Sequence, residues 1–505
     1  MENQLGSICH QLKLNFLNSI SWSVVVGMCS IKIENKEDSC DEIVFNPFPV
    51  NHSFPISRTH FSKDKNYFNN GTLDWQKLGI HTIPDSFFYD YPCIEVLDLK
   101  RNELKEFSTS IRFLKNLIQL NLANNELKTL PKKFSFYKEF PQLEYLDLTA
   151  NQISEFPLEL FIAASRLNQI ILDSNQIKTF PNASLYNVVY NDAFIEKISL
   201  NHNQIQRFPI LLSRFRKLDD LDLKDNQVQG AVDITDFESL KYLDLQNNYV
   251  INFILNKENA NILKVLDFRE NQLKYFEHEN LIYHNLNSLY LDDNQLKKLT
   301  LSTAIFPEIE RVWASDNQLE KLEIPSMLPT LENLRISNNN IKSFSDLENA
   351  PNLTNLDISR NQLTEVPKAI FKMNSLKEFR CLENNISGIF EWSNSKIKRI
   401  NLYDNNIEKV ILKNNPNLWE INISRNNLKS FSIDQITLKT LSYLKMDYNP
   451  ELTDIPIEYI LKNAPNLKVF SVHRIGISGE ELKKYRAIAE ENNISFWYSN
   501  RLWED

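Results

Sequence analysis

Aromatic rings and guanidinium groups that would share one exposed surface are the side chains of this sequence best suited to chemistry, and that chemistry is recognition. Tyr290, Trp313, Arg335 and Arg380 each stand four residues before an asparagine that returns at a near-constant interval. Arg311 and Arg399 stand six residues before such an asparagine, and Tyr403 two before. On a strand, residues at even separations point to the same side, so these seven side chains gather on a single face. Tyr, Trp and Arg dominate the few positions that carry most of the energy of a protein interface. An exposed tryptophan on a strand has few structural uses, which predicts a partner-binding patch centred on Tyr290, Arg311, Trp313 and Arg335. Asp220, Asp222, Asp244, Asp267 and Asp292 form a second, acidic patch in the middle of the same face. Basic residues follow toward the C-terminus, interrupted by Asp357, Glu378 and Glu420. Such a bipolar face either steers a partner of matching charge or is simply well solvated, and both readings stay open.

Catalytic chemistry finds no comparable set. The chain has no G-x-x-x-x-G-K-[ST], H-E-x-x-H or G-x-S-x-G motif. Cys9, His10, Cys29, Cys40, His52 and His60 lack the close C-x-x-C pairs of structural zinc sites. No metal, no cofactor and no enzymatic activity are therefore expected, with an activity within residues 1–70 as the remote alternative. The cysteines number five, an odd count without paired spacing, which fits reduced thiols better than a disulfide framework. A net charge of −9 argues against a nucleic-acid partner. The longest apolar stretch near the start, Val24–Cys29, is far short of the roughly 18 residues of a membrane span. Leu14–Met28, interrupted by polar residues and with Lys13 alone as its basic flank, makes a poor signal peptide. A monomer that is cytoplasmic or delivered into a host cell is the expectation.

The recognition residues need a scaffold, and a repeat supplies it. Asparagines recur at Asn102, Asn125, Asn151, Asn175, Asn203, Asn226, Asn248, Asn271, Asn294, Asn317, Asn339, Asn361, Asn384, Asn405, Asn426 and Asn449. Their separations run mostly from 21 to 24 residues, with 26 before Asn151 and 28 before Asn203. Around Asn361 the pattern reads Leu353, Leu356, Ile358, Asn361, Leu363, that is L-x-x-L-x-L-x-x-N-x-L. A fixed period of this size means a solenoid. Strand alternation sends Leu356 and Ile358 inward, and an apolar residue two after each asparagine, from Leu104 to Leu428, closes each core layer. A side-chain amide both donates and accepts, so stacked asparagines would satisfy backbone groups where the chain turns. The sixteen asparagines are accordingly read as a structural ladder.

This pattern resembles the leucine-rich repeat family, in bacterial-type irregular repeats of 21–28 residues over roughly 73–475. Pro84, Pro131, Pro157, Pro181, Pro209 and Pro367, each after an apolar residue, look like that family's Leu-Pro step. The resemblance implies an α/β fold, a right-handed solenoid (horseshoe). Short parallel strands would form the concave sheet, with turns, 3₁₀ segments or short helices behind. It also implies a non-enzymatic scaffold that binds another protein on the concave face, with a bacterial effector acting in a host cell as a narrower reading. A surface or extracellular protein that binds glycan or envelope material, using Tyr290 and Trp313 as stacking platforms, is the alternative. Some similar bacterial proteins carry a ubiquitin-ligase domain after the repeats, but the residues beyond Ile475 contain no cysteine for it.

Three segments follow. Residues 1–70 form an N-terminal cap or small module, with a hairpin predicted from Leu12–Phe16 and Ile20–Met28. Residues 71–475 hold about 18 units, with Leu78 and Ile475 in the asparagine position of the degenerate end units. Residues 476–505 form a C-terminal cap, opened by a capping box at Ser478 and Glu481, continued by a helix to Glu491 and closed by a strand through Ile494, Phe496 and Tyr498. The two long repeats carry extra residues, including Phe134, Phe136 and Tyr137 and the stretch Tyr186–Tyr190. These insertions are either lengthened convex turns or partner contacts.

Overall fold

A computed structural model describes residues 68–69, 71–83, 88, 94–130, 140–157, 166–180, 194–276, 278, 280–344 and 346–498. The hairpin expected before residue 34 and both inserted segments lie outside these residues. Contacts divide the chain into two units, Met1–Ile205 with Arg214–Leu218 and Gln206–Ser213 with Asp219–Asp505.

In the first unit six three-residue strands stack in parallel and in register, from Thr72–Asp74 to Lys197–Ser199. Phe68–Asn69 pairs antiparallel with Thr72–Asp74, so the outer edge of the first repeat is covered rather than left open. The second unit continues the same design from Asp220–Asp222 to Ser495–Trp497, with its repeat strands parallel throughout. The middle residue of each repeat strand before Ser495–Trp497 enters the core, as with Leu289, Val312, Leu334 and Leu356, all at most 1% exposed. Expectation and structure agree on this alternation, and with it on the leucine-rich repeat solenoid as the fold class.

The asparagines do what a turn inside a packed coil requires. Asn361 Nδ2 donates to the carbonyls of Ile336 at 3.0 Å, Ile358 at 3.2 Å and Ser359 at 3.0 Å. Its Oδ1 accepts from Ile341 N at 3.0 Å. Asn339 and Asn384 repeat this on either side, so each side chain ties its own turn to the preceding repeat. Directly before every ladder asparagine stands a residue in the left-handed region, such as Arg360 at φ 50°, Glu383 at 53° and Asp404 at 58°. None of these is a glycine, so each bears strain that the four bonds of the adjacent asparagine must outweigh. Sequence pattern did not flag this column, because its residues share no type.

What lies behind the sheet varies from repeat to repeat from about the sixth residue after the asparagine. Where this residue is Ser108, a 3₁₀ segment, Thr109–Phe113, follows. Where it is Pro367, the chain enters a 3₁₀ segment, Lys368–Lys372, since proline fixes φ and has no N–H to offer a strand. Where it is Val232, Ile254, Thr300, Glu323, Phe390, Ile411 or Ser432, the same step runs within a strand. Three further parallel sheets result: Gln229–Asp233 with Tyr249–Ile254, Lys298–Thr300 with Lys321–Glu323, and Ser387–Trp392 with Asn406–Leu412 and Ser430–Ile433. The expected turns, 3₁₀ segments and short helices are present too, but these sheets were not foreseen. In Tyr249–Ile254, Ser387–Trp392 and Asn406–Leu412 the β-branched and aromatic residues beyond the asparagine turn favour a strand.

At the C-terminal end Ser478 Oγ accepts from Glu481 N at 3.2 Å, the serine half of the expected box, and starts the helix Gly479–Glu491. The strand Ser495–Trp497 then pairs in parallel with Val469–Ser471. Leu482 and Ala489 of this helix, and Ile494 just before the strand, are buried.

Candidate protein-binding face

Because each strand is three residues long, its first and third side chains face out together. Register then turns the third positions of the second unit into a continuous row. Asp222, Asp244, Asp267, Tyr290, Trp313 and Arg335 are successive Cα partners in it. Asp357, Arg380, Asn401, Asn422 and Lys445 continue the row. Arg311 and Arg399 lie in the parallel first-position row.

The predicted aromatic patch is assembled, and it is already packed on itself. The Tyr290 and Trp313 rings meet edge to face, with centroids 4.8 Å apart and an interplanar angle of 60°. The Arg335 guanidinium lies over the Trp313 ring at 4.2 Å. The indole N–H donates to Asn333 Oδ1 at 3.1 Å. Trp313 is therefore half-buried, not the freely exposed ring expected on a strand, whereas Arg335 and Arg311 stand exposed. Arg311 contacts Glu310 at 3.4 Å and Ser288 Oγ at 3.4 Å. Arg399 lies over the Trp419 ring at 4.3 Å and meets Glu378 at 3.2 Å and Glu420 at 3.6 Å. Arg380 reaches Glu378 only at 3.5 Å. Tyr403 takes Arg425 over its ring at 5.5 Å. Between these groups a depression of about 340 Å³ is lined by Ser359, Arg380, Leu382, Arg399, Asn401 and Asn422, among others.

Two features of the face escaped sequence reasoning. Arg269 donates to both Asp267 oxygens at 2.9 Å through Nε and to Gln246 Oε1 at 3.2 Å through Nη2, and it approaches the Tyr290 ring at 5.4 Å. It stands two residues before Asn271, in the column that also holds Tyr403, so its position was the available signal. Trp497, 56% exposed, is the third residue of the last strand and closes the row, although the alternation of Ile494, Phe496 and Tyr498 drew attention to its neighbours.

The aspartates have local work. Asp222, Asp244 and Asp267 each accept from the backbone N–H two residues on, at 3.1, 2.9 and 3.1 Å. Asp357 does the same for Ser359 N at 3.1 Å. Such Asx turns explain aspartate or asparagine in this row without a ligand. At Trp313, Arg335 and Arg380, where the row departs from that type, a neighbouring repeat takes over the duty. Ser315 N, two after Trp313, donates to Asp292 Oδ1 at 2.7 Å. Ser337 N, two after Arg335, donates to Ser315 Oγ at 3.2 Å, and Leu382 N, two after Arg380, to Ser359 Oγ at 3.3 Å. Burial, and then the Asp267 and Asp222 carboxylates, push the Asp244 carboxyl up to about 7. Burial pushes Asp292 up to about 6 against the Ser315 hydrogen bond. Asp267 is ion-paired by Arg269. Near neutral pH the acidic patch therefore carries less negative charge than the five aspartates, with Asp220 among them, would by count.

Cys381 lies fully buried on the inner side of its strand, where burial raises its thiol well above the usual range and keeps it from acting as a nucleophile. Among the described residues no group of His, Cys, Asp and Glu is arranged to hold a metal ion, and no helix is long and apolar enough to cross a membrane.

Comparison with known proteins agrees with this architecture. A family model described as leucine-rich repeats in two copies matches residues 115–160, and a single leucine-rich repeat model matches residues 352–373. Keratocan of Danio rerio is 29% identical over 155 residues, which is 30% of this chain and 41% of that protein. Fibromodulin of Homo sapiens is 26% identical over 165 residues, 31% of this chain and 41% of that protein. The chain thus spans well under half the length of these curated relatives. A solved leucine-rich repeat protein of Leptospira interrogans superposes with a TM-score of 0.58 at 22% identity, over 84% of this chain and 95% of that one. The PEPR1–AtPEP1 structure gives a TM-score of 0.57 at 19% identity, over 83% of this chain and 64% of that chain. The Drosophila Toll–Spatzle complex gives 0.53 at 20% identity, over 72% of this chain and 54% of that chain. Repeat spacing, asparagine ladder, parallel sheet and these likenesses agree: the chain is a leucine-rich repeat protein.

Proposed function

We propose that this chain is a non-enzymatic binding scaffold whose partner is another protein, docked on the outward sheet face of the second unit. One observation carries the reading. The row that on the flanking strands holds the amide-capping Asp222, Asp244, Asp267 and Asp357 gives way, over adjacent strands, to Tyr290, Trp313 and Arg335, packed into one aromatic and cationic cluster. Residues of these types, partly desolvated and held in place by one another, are what interface hot spots use. Two neighbours of similar fold, in the Toll–Spatzle and PEPR1–AtPEP1 structures, are complexes, and they support the same reading by analogy.

The glycan alternative fits the geometry less well. A stacking platform needs an open ring face, whereas Tyr290 and Trp313 lie at 60° to one another and Arg335 occupies a Trp313 face. Delivery into a host cell remains the narrower reading, compatible with the Asn-, Lys- and Ile-rich composition.

The test is an affinity capture from lysates of the producing cell and of a candidate host. It compares the parent with Tyr290→Ala/Trp313→Ala/Arg335→Ala, whose fold is checked by circular dichroism. The expected result is a partner held by the parent and reduced at least tenfold on the triple variant. Undiminished capture by the folded variant would place the site elsewhere. A carbohydrate array bound by the parent alone would favour the glycan reading.

A further inference from the structure

The second half of the outward row has a chemical character that the first half lacks. Arg335 is fixed by the Trp313 ring at 4.2 Å, yet among the described residues no acceptor meets its guanidinium N–H groups. Asn401 and Asn422 each spend Oδ1 on a backbone N–H, of Tyr403 and Ser424, both at 3.1 Å. Their Nδ2 groups therefore face outward as donors, with no described acceptor. Lys445 likewise has no described partner, and Arg380 has only the long contact to Glu378 at 3.5 Å. The row contains one carboxylate, Asp357, and one of its oxygens is taken by Ser359 N. In the adjacent row Glu378 and Glu420 are engaged by Arg399. What this surface leaves unsatisfied is almost entirely donors.

Building on the scaffold reading above, we propose that the row from Arg335 through Arg380, Asn401 and Asn422 to Lys445 receives an acidic, extended segment of the partner protein. The segment lies across the strands, with carboxylates on Arg335 and Arg380 and backbone carbonyls on the two asparagine amides. A side chain enters the 340 Å³ depression beside Arg380. Dimensions agree with this. Five strand steps of about 4.8 Å separate Arg335 from Lys445, about 24 Å in all, a span covered by seven or eight extended residues. Preorganisation adds specificity, because a guanidinium already held against an indole loses little freedom when it takes a carboxylate. A continuous polyanion such as a sulfated polysaccharide fits worse. Asp357, Glu378 and Glu420 interrupt the donors, and they would repel any charge placed between the preferred points.

Selection of phage-displayed random twelve-residue peptides on the full chain tests this. One recovered peptide is then labelled with fluorescein and titrated by anisotropy into the parent, Arg335→Gln, Arg380→Gln and Tyr290→Ala/Trp313→Ala. The expected result is enrichment of Asp and Glu in the recovered sequences. Binding should weaken tenfold or more in Arg335→Gln, several-fold in Arg380→Gln, and further as salt rises from 50 to 300 mM. Neutral or basic peptides whose binding still falls with these substitutions would overturn the acidic segment and leave the binding face standing. Acidic peptides indifferent to every substitution would overturn both. Heparin binding as tightly, with the same dependence on Arg335, would overturn the peptide in favour of a polyanion. A library that yields no enriched sequence would overturn the extended segment, while the capture experiment still judges the face.

Discussion

Replacing Asn361 by Ala and by Asp separates the two halves of its role in the ladder. Its four hydrogen bonds are not equally replaceable. Without Asn361, the Ile336 carbonyl keeps Asn339 Nδ2, the Ile358 carbonyl keeps Asn384 Nδ2, and the Ser359 carbonyl keeps Asn338 N. Only Ile341 N, which donates to Asn361 Oδ1 at 3.0 Å, is stranded in the interior. One orphaned buried amide costs about 1–3 kcal/mol, and the lost bonds to carbonyls that keep other partners add somewhat less, so Asn361→Ala should cost about 3 kcal/mol. Asn361→Asp retains the acceptor for Ile341 N but sets a carboxylate oxygen against three carbonyls about 3 Å away, at a site 8% exposed. Ionised, it should be worse than Ala. Protonated, its O–H can donate to one carbonyl and recover part of the loss. The introduced carboxyl therefore has a raised folded-state pKa. Its stabilising contribution is present below the unfolded value near 4 and disappears as pH rises through the folded one. Urea unfolding at pH 4.5 and pH 8, with hydrogen exchange followed over the Ile341 amide, should rank Asp above Ala in acid and Ala above Asp in base. The same order at both pH values, or an Asp variant as stable as the parent at pH 8, would refute the donor argument.

Two further outcomes follow from local geometry. Asp244, raised to about 7 by burial and then by Asp267 and Asp222, favours the fold while protonated. That contribution is complete below about pH 4 and is lost as pH rises through 7, so Asp244→Asn should flatten the stability profile over this window. The variant should gain about 1–2 kcal/mol at pH 8 in urea titrations, a figure discounted for the water that reaches this half-buried group. A Cβ on Gly476 would come within 2.8 Å of the Pro450 carbonyl and 2.9 Å of Thr453 Cγ2. Gly476→Ala should therefore cost about 1–3 kcal/mol, seen as faster exchange in the C-terminal cap with the centre of the second unit unchanged.

The repeat was readable because its signal is redundant: sixteen asparagines at one position, and alternating apolar residues that can only point inward. Features set by backbone rather than side-chain type were not readable. The left-handed column holds Arg360, Glu383, Asp404 and Tyr448 alike, since the neighbouring asparagine, not the residue itself, imposes the conformation. The far-side sheets were not recoverable from the absence of proline alone: the sixth residue after Asn102 is Ser108, yet a 3₁₀ segment, Thr109–Phe113, follows it. The aromatic and arginine cluster stands out in the sequence as departures from a column habit, but the cause of the habit does not, because it is a hydrogen bond to the amide two residues on.

That hydrogen bond also bears on how Trp313, Arg335 and Arg380 are accommodated. A third-position residue that is not Asp or Asn cannot cap the amide two residues on, and after Trp313, Arg335 and Arg380, though not after Tyr290, a neighbouring repeat supplies the acceptor among the described residues. Asp292 does so for the turn after Trp313, at 2.7 Å, and Ser315 and Ser359 do so after Arg335 and Arg380. Asp292, grouped by sequence with the acidic patch, is on this argument a positioning residue for Trp313. Asp292→Ala should cost about 1–2 kcal/mol and shift the Trp313 emission as its loop loosens. It should also weaken partner binding several-fold without removing any group that touches the partner. Asp292→Asn keeps an acceptor oxygen while removing the charge. If Asn restores both emission and binding, the acceptor matters. If Asn fails as badly as Ala, the charge of Asp292 is what the partner reads, and the capping argument for this position is wrong.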